Sequence, residues 1–321
     1  MLKMIQKRLI MILPILFVVH TLTFILFFVV NSPDDIARAH LGQKYVLQAD
    51  IDRWKKIHHL DLPLFWNSEQ QWFKSIFAYQ TLELLQGDFG RSLNGENINE
   101  EIKKRIGPSL SIALPSFIFS IFLNVFLAMC LVYFRNTYLN QVGLIISIVL
   151  LSVSSLFYII FFQYYTAYLW RWFPISGYES GLAAIFFISL PIIIHIFSGI
   201  GNGVRWYRTL LMEEIEQAYV ITARANGLKE FKIMWAYVLR NALLPIVTGV
   251  VVVIPTLFLG SILYESFFSI PGLGNYLIDA IQKQDFPIVR AMVFLGSLAY
   301  MIGLILTDMV YLWIDPRVRI K

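Results

Sequence analysis

Leu9-Ile-Met-Ile-Leu-Pro-Ile-Leu-Phe-Val-Val-His-Thr-Leu-Thr-Phe-Ile-Leu-Phe-Phe-Val-Val30 contains no Asp, Glu, Lys or Arg. A helix that crosses a bilayer needs roughly 20 consecutive apolar residues, and this run meets that length. Lys3, Lys7 and Arg8 precede it, as basic residues would precede a secretory signal. Its apolar stretch is too long for an ordinary signal core, however, and no small-x-small cleavage site follows. It reads as a retained span with its N-terminus on the cytoplasmic side.

Five more blocks satisfy the same test: 110–134, 142–164, 182–204, 243–263 and 288–314. The chain of 321 residues is 58% hydrophobic and 15% charged, against about 25% charged in soluble domains, and these blocks account for the deficit. The fold class is an all-α integral membrane protein with six transmembrane helices. An N-terminal helix (1–30) leads into a hydrophilic outer region (31–109) with short amphipathic helices. A five-helix core (110–321) follows and includes a cytoplasmic segment (205–242).

A net charge of +5 would also suit a nucleic-acid binder. Topology explains it better, because short cytoplasmic loops collect Lys and Arg. Lys3, Lys7, Arg8, Arg135, Arg205, Arg208, Arg224, Lys229, Lys232, Arg240, Arg317, Arg319 and Lys321 fall on the inner side. The two short outer loops offer Arg171 and Lys283, with Arg290 at a span end. Cys130 is the single cysteine and lies inside an apolar block, so no internal disulfide can form.

The segment 205–242 has the richest local pattern. Glu213, Glu214 and Glu216 suit a helix N-terminus. Ala218, Thr222, Ala223 and Ala225 offer a small-residue surface, and Gly227 is placed to end the helix. A second helix from about Lys229 runs toward Pro245 and the fifth span. One reading is a solvated amphipathic loop. The other is a short helix that another protein approaches closely and that passes a push to the spans it joins.

Resemblance favours the second reading. Ala218–Gly227, with Thr222-Ala-Arg-Ala-Asn-Gly-Leu228 at its core, and Leu239-Arg-Asn-Ala-Leu-Leu-Pro245 resemble the coupling loop of permease subunits in ABC importers. The closest likeness is to the dipeptide/oligopeptide/nickel group of binding-protein-dependent systems. The Glu-Ala-Ala triplet of the general signature is replaced by Ile221-Thr-Ala223. Leu60-Asp-Leu-Pro-Leu64, Gly87-Asp-Phe-Gly-Arg-Ser-Leu93, Phe268-Ser-Ile-Pro-Gly-Leu-Gly274, Asp285-Phe-Pro287 and Asp315-Pro-Arg-Val-Arg319 are similar to other parts of that family, in the same order.

The resemblance implies a type I importer permease that is not itself an enzyme. It implies a second related permease, in a heterodimer, two ATPase subunits and an extracytoplasmic solute-binding protein in the bacterial inner membrane. ATP and Mg would be held by the ATPases, and this chain would carry no cofactor, catalytic residue or metal. Ala218, Thr222, Ala223, Arg224, Ala225 and Gly227 would serve ATPase coupling, and Gly87, Asp88, Gly90 and Arg91 binding-protein docking. Peptides are the expected cargo, with nickel chelates or another small solute as the alternative.

Trp54, Trp66, Trp72, Phe73, Phe77 and Tyr79 in the outer region suit either a membrane belt or a docking surface. Ionisable groups inside spans are functional candidates: His20, His195, Glu265 and Asp308, beside the cheaper Asn124 and Gln163. His20, Asn124 and His195 are the candidates to line the translocation path. Contact with neighbouring helices is the competing role. His58-His59 reads as a solvated pair. The chain has no H-E-x-x-H, no G-x-S-x-G and no G-x-x-x-x-G-K-[ST], which argues against an intramembrane enzyme or a Walker ATPase. An ion-coupled transporter using His20, His195 and Asp308 is the remaining competitor.

Overall fold

The computed structural model describes residues 2–30, 32–42, 46–57, 60–65, 74–257 and 261–314. His58, His59, Trp66, Trp72, Phe73 and the 315–319 motif lie outside the described residues. The helices are α1 Leu2–Val30, α2 Pro33–Leu41, α3 Gln48–Ile57, α4 Ile76–Leu85, α5 Ile98–Tyr133, α6 Tyr138–Ser152, α7 Ser155–Phe162, α8 Ala184–Ile215, α9 Ala218–Ala225, α10 Glu230–Ile233, α11 Arg240–Leu257, α12 Ile262–Phe267, α13 Leu273–Gln282 and α14 Phe286–Ile314. Among the described residues the one strand-like contact is an antiparallel bridge between Arg91 and Asn97.

Among the described residues five helical stretches are long and apolar enough to cross a membrane: Ile10–Phe28, Ile98–Tyr133, Gly181–Ile215, Glu230–Ile254 and Phe286–Val310. The sixth expected span is a bent pair, Tyr138–Ser152 and Ser155–Leu169, which turns by 91°. Val153 and Ser154 are extended at the break, and the Ser154 hydroxyl accepts the Leu156 N–H at 3.3 Å. A serine that caps a new helix offers the backbone an alternative to continuing the old one. The second span starts earlier than the apolar block, because the stripe of Ile98, Ile102 and Ile106 fuses with it into one helix. The fourth runs ten residues past Arg205 to Ile215, so the polar segment begins inside a helix.

The chain divides into two compact units, 107–275 with 302 onward, and 2–106 with 276–301. The first has two apolar clusters. One gathers Ala128, Val132, Leu211, Ile215, Ile233, Val238 and Ala242, the other Ile112, Ile159, Leu190, Ile194, Phe268 and Ile270. α6 and α8 touch backbone to backbone at Gly201, where a Cβ would stand 2.5 Å from Leu151 N and 2.7 Å from Ser147 O. In the second unit Phe24, Ile36, Leu60 and Ile76 form one cluster, and Leu16, Leu84 and Phe294 another. Ile10, Leu26, Phe122, Ile145 and Phe186 are exposed on the span helices, as hydrocarbon solvent permits.

Candidate functional site

The short helix α9 sits between two long ones and is held by one face. Val220 and Ala223 are buried, in the cluster that also takes Leu211 and Ile215 of α8, Ile233 of α10 and Ala242 of α11. An isolated helix of this length is not stable in water. Full burial of a valine contributes about 1.5–3 kcal/mol, so this packing fixes the helix. Ala218, Thr222 and Ala225 lie on the opposite face and are exposed, as are Ile221, Arg224 and Gly227. Ala223 therefore does not belong to the small-residue surface expected of it. Its spacing of three from Val220 puts it on the packed face.

The helix ends by backbone geometry. Gly227 has φ +78°, Gly227 N donates to Arg224 O at 3.0 Å, and Leu228 N donates to Ala223 O at 3.3 Å. These two bonds form the Schellman closure, and Leu228 packs back onto the same cluster. A Cβ on Gly227 would meet nothing within 4 Å, so the glycine answers to the positive φ and not to space. Arg224 donates to Glu230 (Nε to Oε1, 2.6 Å), and Arg135 reaches the other oxygen of Glu230 at 3.9 Å. The Tyr219 hydroxyl donates to Glu214. Burial, then this bond, pushes Tyr219 up to about 12.

A π-helical turn over Met234–Leu239 joins α10 to α11. Asn241 Nδ2 donates to Tyr237 O at 2.8 Å. The same carbonyl also accepts the Arg240 N–H at the end of the π turn, and the added bond gives the Asn of Leu239-Arg-Asn-Ala-Leu a structural reason.

In the second unit, Gly87 and Gly90 have φ +76° and +77°. Asn99 clamps the turn by donating to Gly87 O at 2.6 Å and accepting Phe89 N at 2.9 Å. Asp88 Oδ1 accepts Gly90 N at 2.9 Å and Arg91 donates to Gly95 O at 3.2 Å; both residues are exposed, while Ser92 is fully buried. Leu93 N donates to Asp285 Oδ2 at 2.9 Å, which ties the Gly87–Leu93 motif to Asp285-Phe-Pro287. Asp285 also accepts the Ile288 N–H in the first turn of α14. Its burial raises its pKa against these two bonds.

The other glycine-rich motif has a carboxyl at its centre. Glu265 is completely buried and accepts from Ser109 Oγ (2.8 Å), Ser261 N (3.0 Å) and Asn275 N (3.1 Å). Ser109 Oγ in turn accepts Leu273 N at 2.7 Å. Burial pushes the Glu265 carboxyl up, and its donors pull it back. A Cβ on Gly272 would overlap Glu265 Oε2 and stand 2.5 Å from both its Cδ and Ser109 Oγ. Gly272 is thus a space requirement, and the span-end glutamate is the peg around which Phe268–Gly274 turns.

The three path candidates fall in two different units. His20 belongs to the second unit, 3% exposed, with its ring stacked on Phe77 at 5.1 Å and neither nitrogen partnered. Asn124 and His195 belong to the first. Asn124 fills the notch left by Gly203, where a Cβ would stand 2.6 Å from its Cγ, and it donates to Ser120 Oγ at 3.0 Å. His195 lies against Tyr264, with centroids 4.9 Å apart. Gln163 is a turn contact, donating to Ile175 O at 3.1 Å.

Long apolar helices joined by a short helix bare on one face, with clamped glycine turns at their ends, define a multi-span membrane protein. The chain belongs to the family described as the binding-protein-dependent transport system inner membrane component, whose model matches residues 120–320. A second model, for the N-terminal part of such membrane components, matches residues 1–113. The chain is 29% identical over 322 residues to a putative peptide transport system permease of Brucella abortus (strain 2308), covering 98% of each. It is 30% identical over 326 residues to the glutathione transport system permease GsiC of Salmonella choleraesuis, covering 100% of each. It is 26% identical over 306 residues to the dipeptide transport system permease DppB of Bacillus subtilis, covering 94% of this chain and 93% of the relative. The family read from the motifs is the family found.

Proposed function

We propose that this chain is the transmembrane permease subunit of an ATP-driven importer for peptides delivered by a solute-binding protein. A second permease and two ATPase subunits complete the assembly, and the ATPases bind ATP and Mg. Both termini and α9 face the cytoplasm. The peptide-transport names of full-length relatives support the cargo. The exposed Asp88 and Arg91 of the Gly87–Leu93 turn form the docking surface for the binding protein.

The observation that carries the reading is α9 itself. Its inner face is locked to α8, α10 and α11, and its outer face exposes the small side chains of Ala218, Thr222 and Ala225. A partner can approach that face closely, and a push on it moves the helices it is locked to. The test is a pair of variants at Gly227 in the reconstituted importer. Gly227→Asn keeps the left-handed conformation and is expected to retain most transport. Gly227→Trp adds a large side chain to the docking face, and is expected to leave the protein folded but uncouple uptake from ATP hydrolysis. Normal uptake by the Trp variant refutes the assignment.

A further inference from the structure

The second unit contains a cavity of about 600 Å³ whose walls include Phe27 of α1, Trp54 of α3, Gln80 and Glu83 of α4, Phe89 and Arg290 of α14. Its polar groups are in an unusual state. Arg290 lies one turn into the last span helix, and its Nε is buried without a hydrogen-bond partner. The Oε1 of Gln80 is likewise buried and unpartnered. Glu83 stands three residues from Gln80, on the same side of α4. Among the described residues no ion pair joins Glu83 to Arg290.

Other buried polar atoms also lack partners, among them both nitrogens of His20 and Oδ1 of Asn124, but neither of those residues lines this cavity, and neither carries a permanent charge. A guanidinium at the edge of the membrane without a partner is costly, and its planar fork matches a carboxylate or phosphate. The cavity thus has a cationic pole, a separate anionic pole, an amide between them and aromatic walls. Its volume is within the usual range for small-molecule sites.

We propose that this cavity binds a small zwitterion, with its anionic group on Arg290, its ammonium group on Glu83 and its apolar body against Phe27, Trp54 and Phe89. Two sources share this chemistry: a short peptide and the headgroup of phosphatidylethanolamine. The peptide probe rests on the peptide-import reading; the cavity and its poles do not.

The full chain in maltoside detergent, without ATPase or binding protein, is titrated with radiolabelled L-alanyl-L-alanine. Its N-acetyl and C-terminal amide forms, each lacking one pole, are titrated alongside. Phosphatidylethanolamine and phosphatidylglycerol are compared on the same preparation by native mass spectrometry. Saturable binding of the dipeptide, weakened about tenfold or more by either cap, assigns the peptide source, since a charge-assisted hydrogen bond is worth about that factor. Selective retention of phosphatidylethanolamine assigns the lipid source. In either case Arg290→Gln and Glu83→Gln must each reduce binding about tenfold. Glu83 is exposed, so its variant is a safe control for folding should Arg290→Gln fail to fold. The proposal is overturned if neither zwitterion binds wild type, or if binding is unchanged in the variants. Because no ATPase is present, this outcome is independent of the Gly227 experiment.

Discussion

Gly272→Ala is the most incisive change the structure suggests. The new methyl group would overlap Glu265 Oε2 and stand 2.5 Å from Ser109 Oγ. The carboxyl must therefore withdraw, and the Asn275 N–H, now at 3.1 Å, loses its acceptor. Ser109 must shift too, which breaks the 2.7 Å bond from Leu273 N. Two buried bonds at about 1–2 kcal/mol each, with about 1 kcal/mol of residual overpacking, give a loss of about 3–5 kcal/mol. Cys130, the only cysteine and half-buried, makes a thiol-reactive dye a direct reporter of thermal unfolding. At roughly 2 °C per kcal/mol for a chain of this size, the midpoint should fall about 6–10 °C. Repeating the substitution in a Glu265→Ala background removes the carboxyl and leaves only Ser109 Oγ in the way, so its cost there should drop to about half. If the two substitutions prove additive, the methyl–carboxyl overlap is not the cause and the peg assignment fails.

Other expectations follow from the same geometry. Burial raises the Asp285 pKa above the ordinary carboxylate value, so the folded chain holds this proton more tightly than the unfolded one. Its contribution is present in acid and is lost as pH rises through the raised value. Melts of wild type and Asp285→Asn from pH 4 to 8 should show wild type losing ground to the variant as pH rises, and a widening wild-type advantage would contradict this. Gly201→Val drives side-chain atoms into the α6 backbone at Leu151 and Ser147, which cannot yield as a side-chain tip can. Size-exclusion chromatography should find little monodisperse protein.

Hydropathy located every apolar span, because a bilayer-length run has no other common explanation. It missed the 91° break in the third, since Ser152-Val-Ser-Ser155 is apolar enough on average and the signal is local capping. It also ended the fourth span at Arg205, where the helix continues to Ile215, because hydropathy registers burial in hydrocarbon and not the persistence of a hydrogen-bonded ladder. At the candidate site the stop at Gly227 was legible from residue type alone. The inward turn of Ala223 was not, since an alanine suits either face and only its phase relative to Val220 decides. Glu265 looked like a functional candidate because a carboxyl at a span end is unexpected there. Its three donors come from positions as far apart in sequence as Ser109 and Asn275. Arg290 was counted only as a topology charge, and nothing local announced the cavity it lines.

The two faces of α9 answer to different constraints. Val220, Ala223 and Leu228 are answerable to the fold, since altering them disturbs the packing of α8, α10 and α11. Ala218, Thr222 and Ala225 are answerable only to whatever docks there. A cell with several importers of this kind faces a problem of insulation, because look-alike ATPases compete for look-alike permeases. The division within α9 lets the docking face drift, one small residue at a time, without cost to membrane insertion or folding. Under the proposed function, partner identity can change between lineages while the scaffold stays fixed, and swapping those three side chains between paralogous systems is expected to redirect which ATPase a permease recruits.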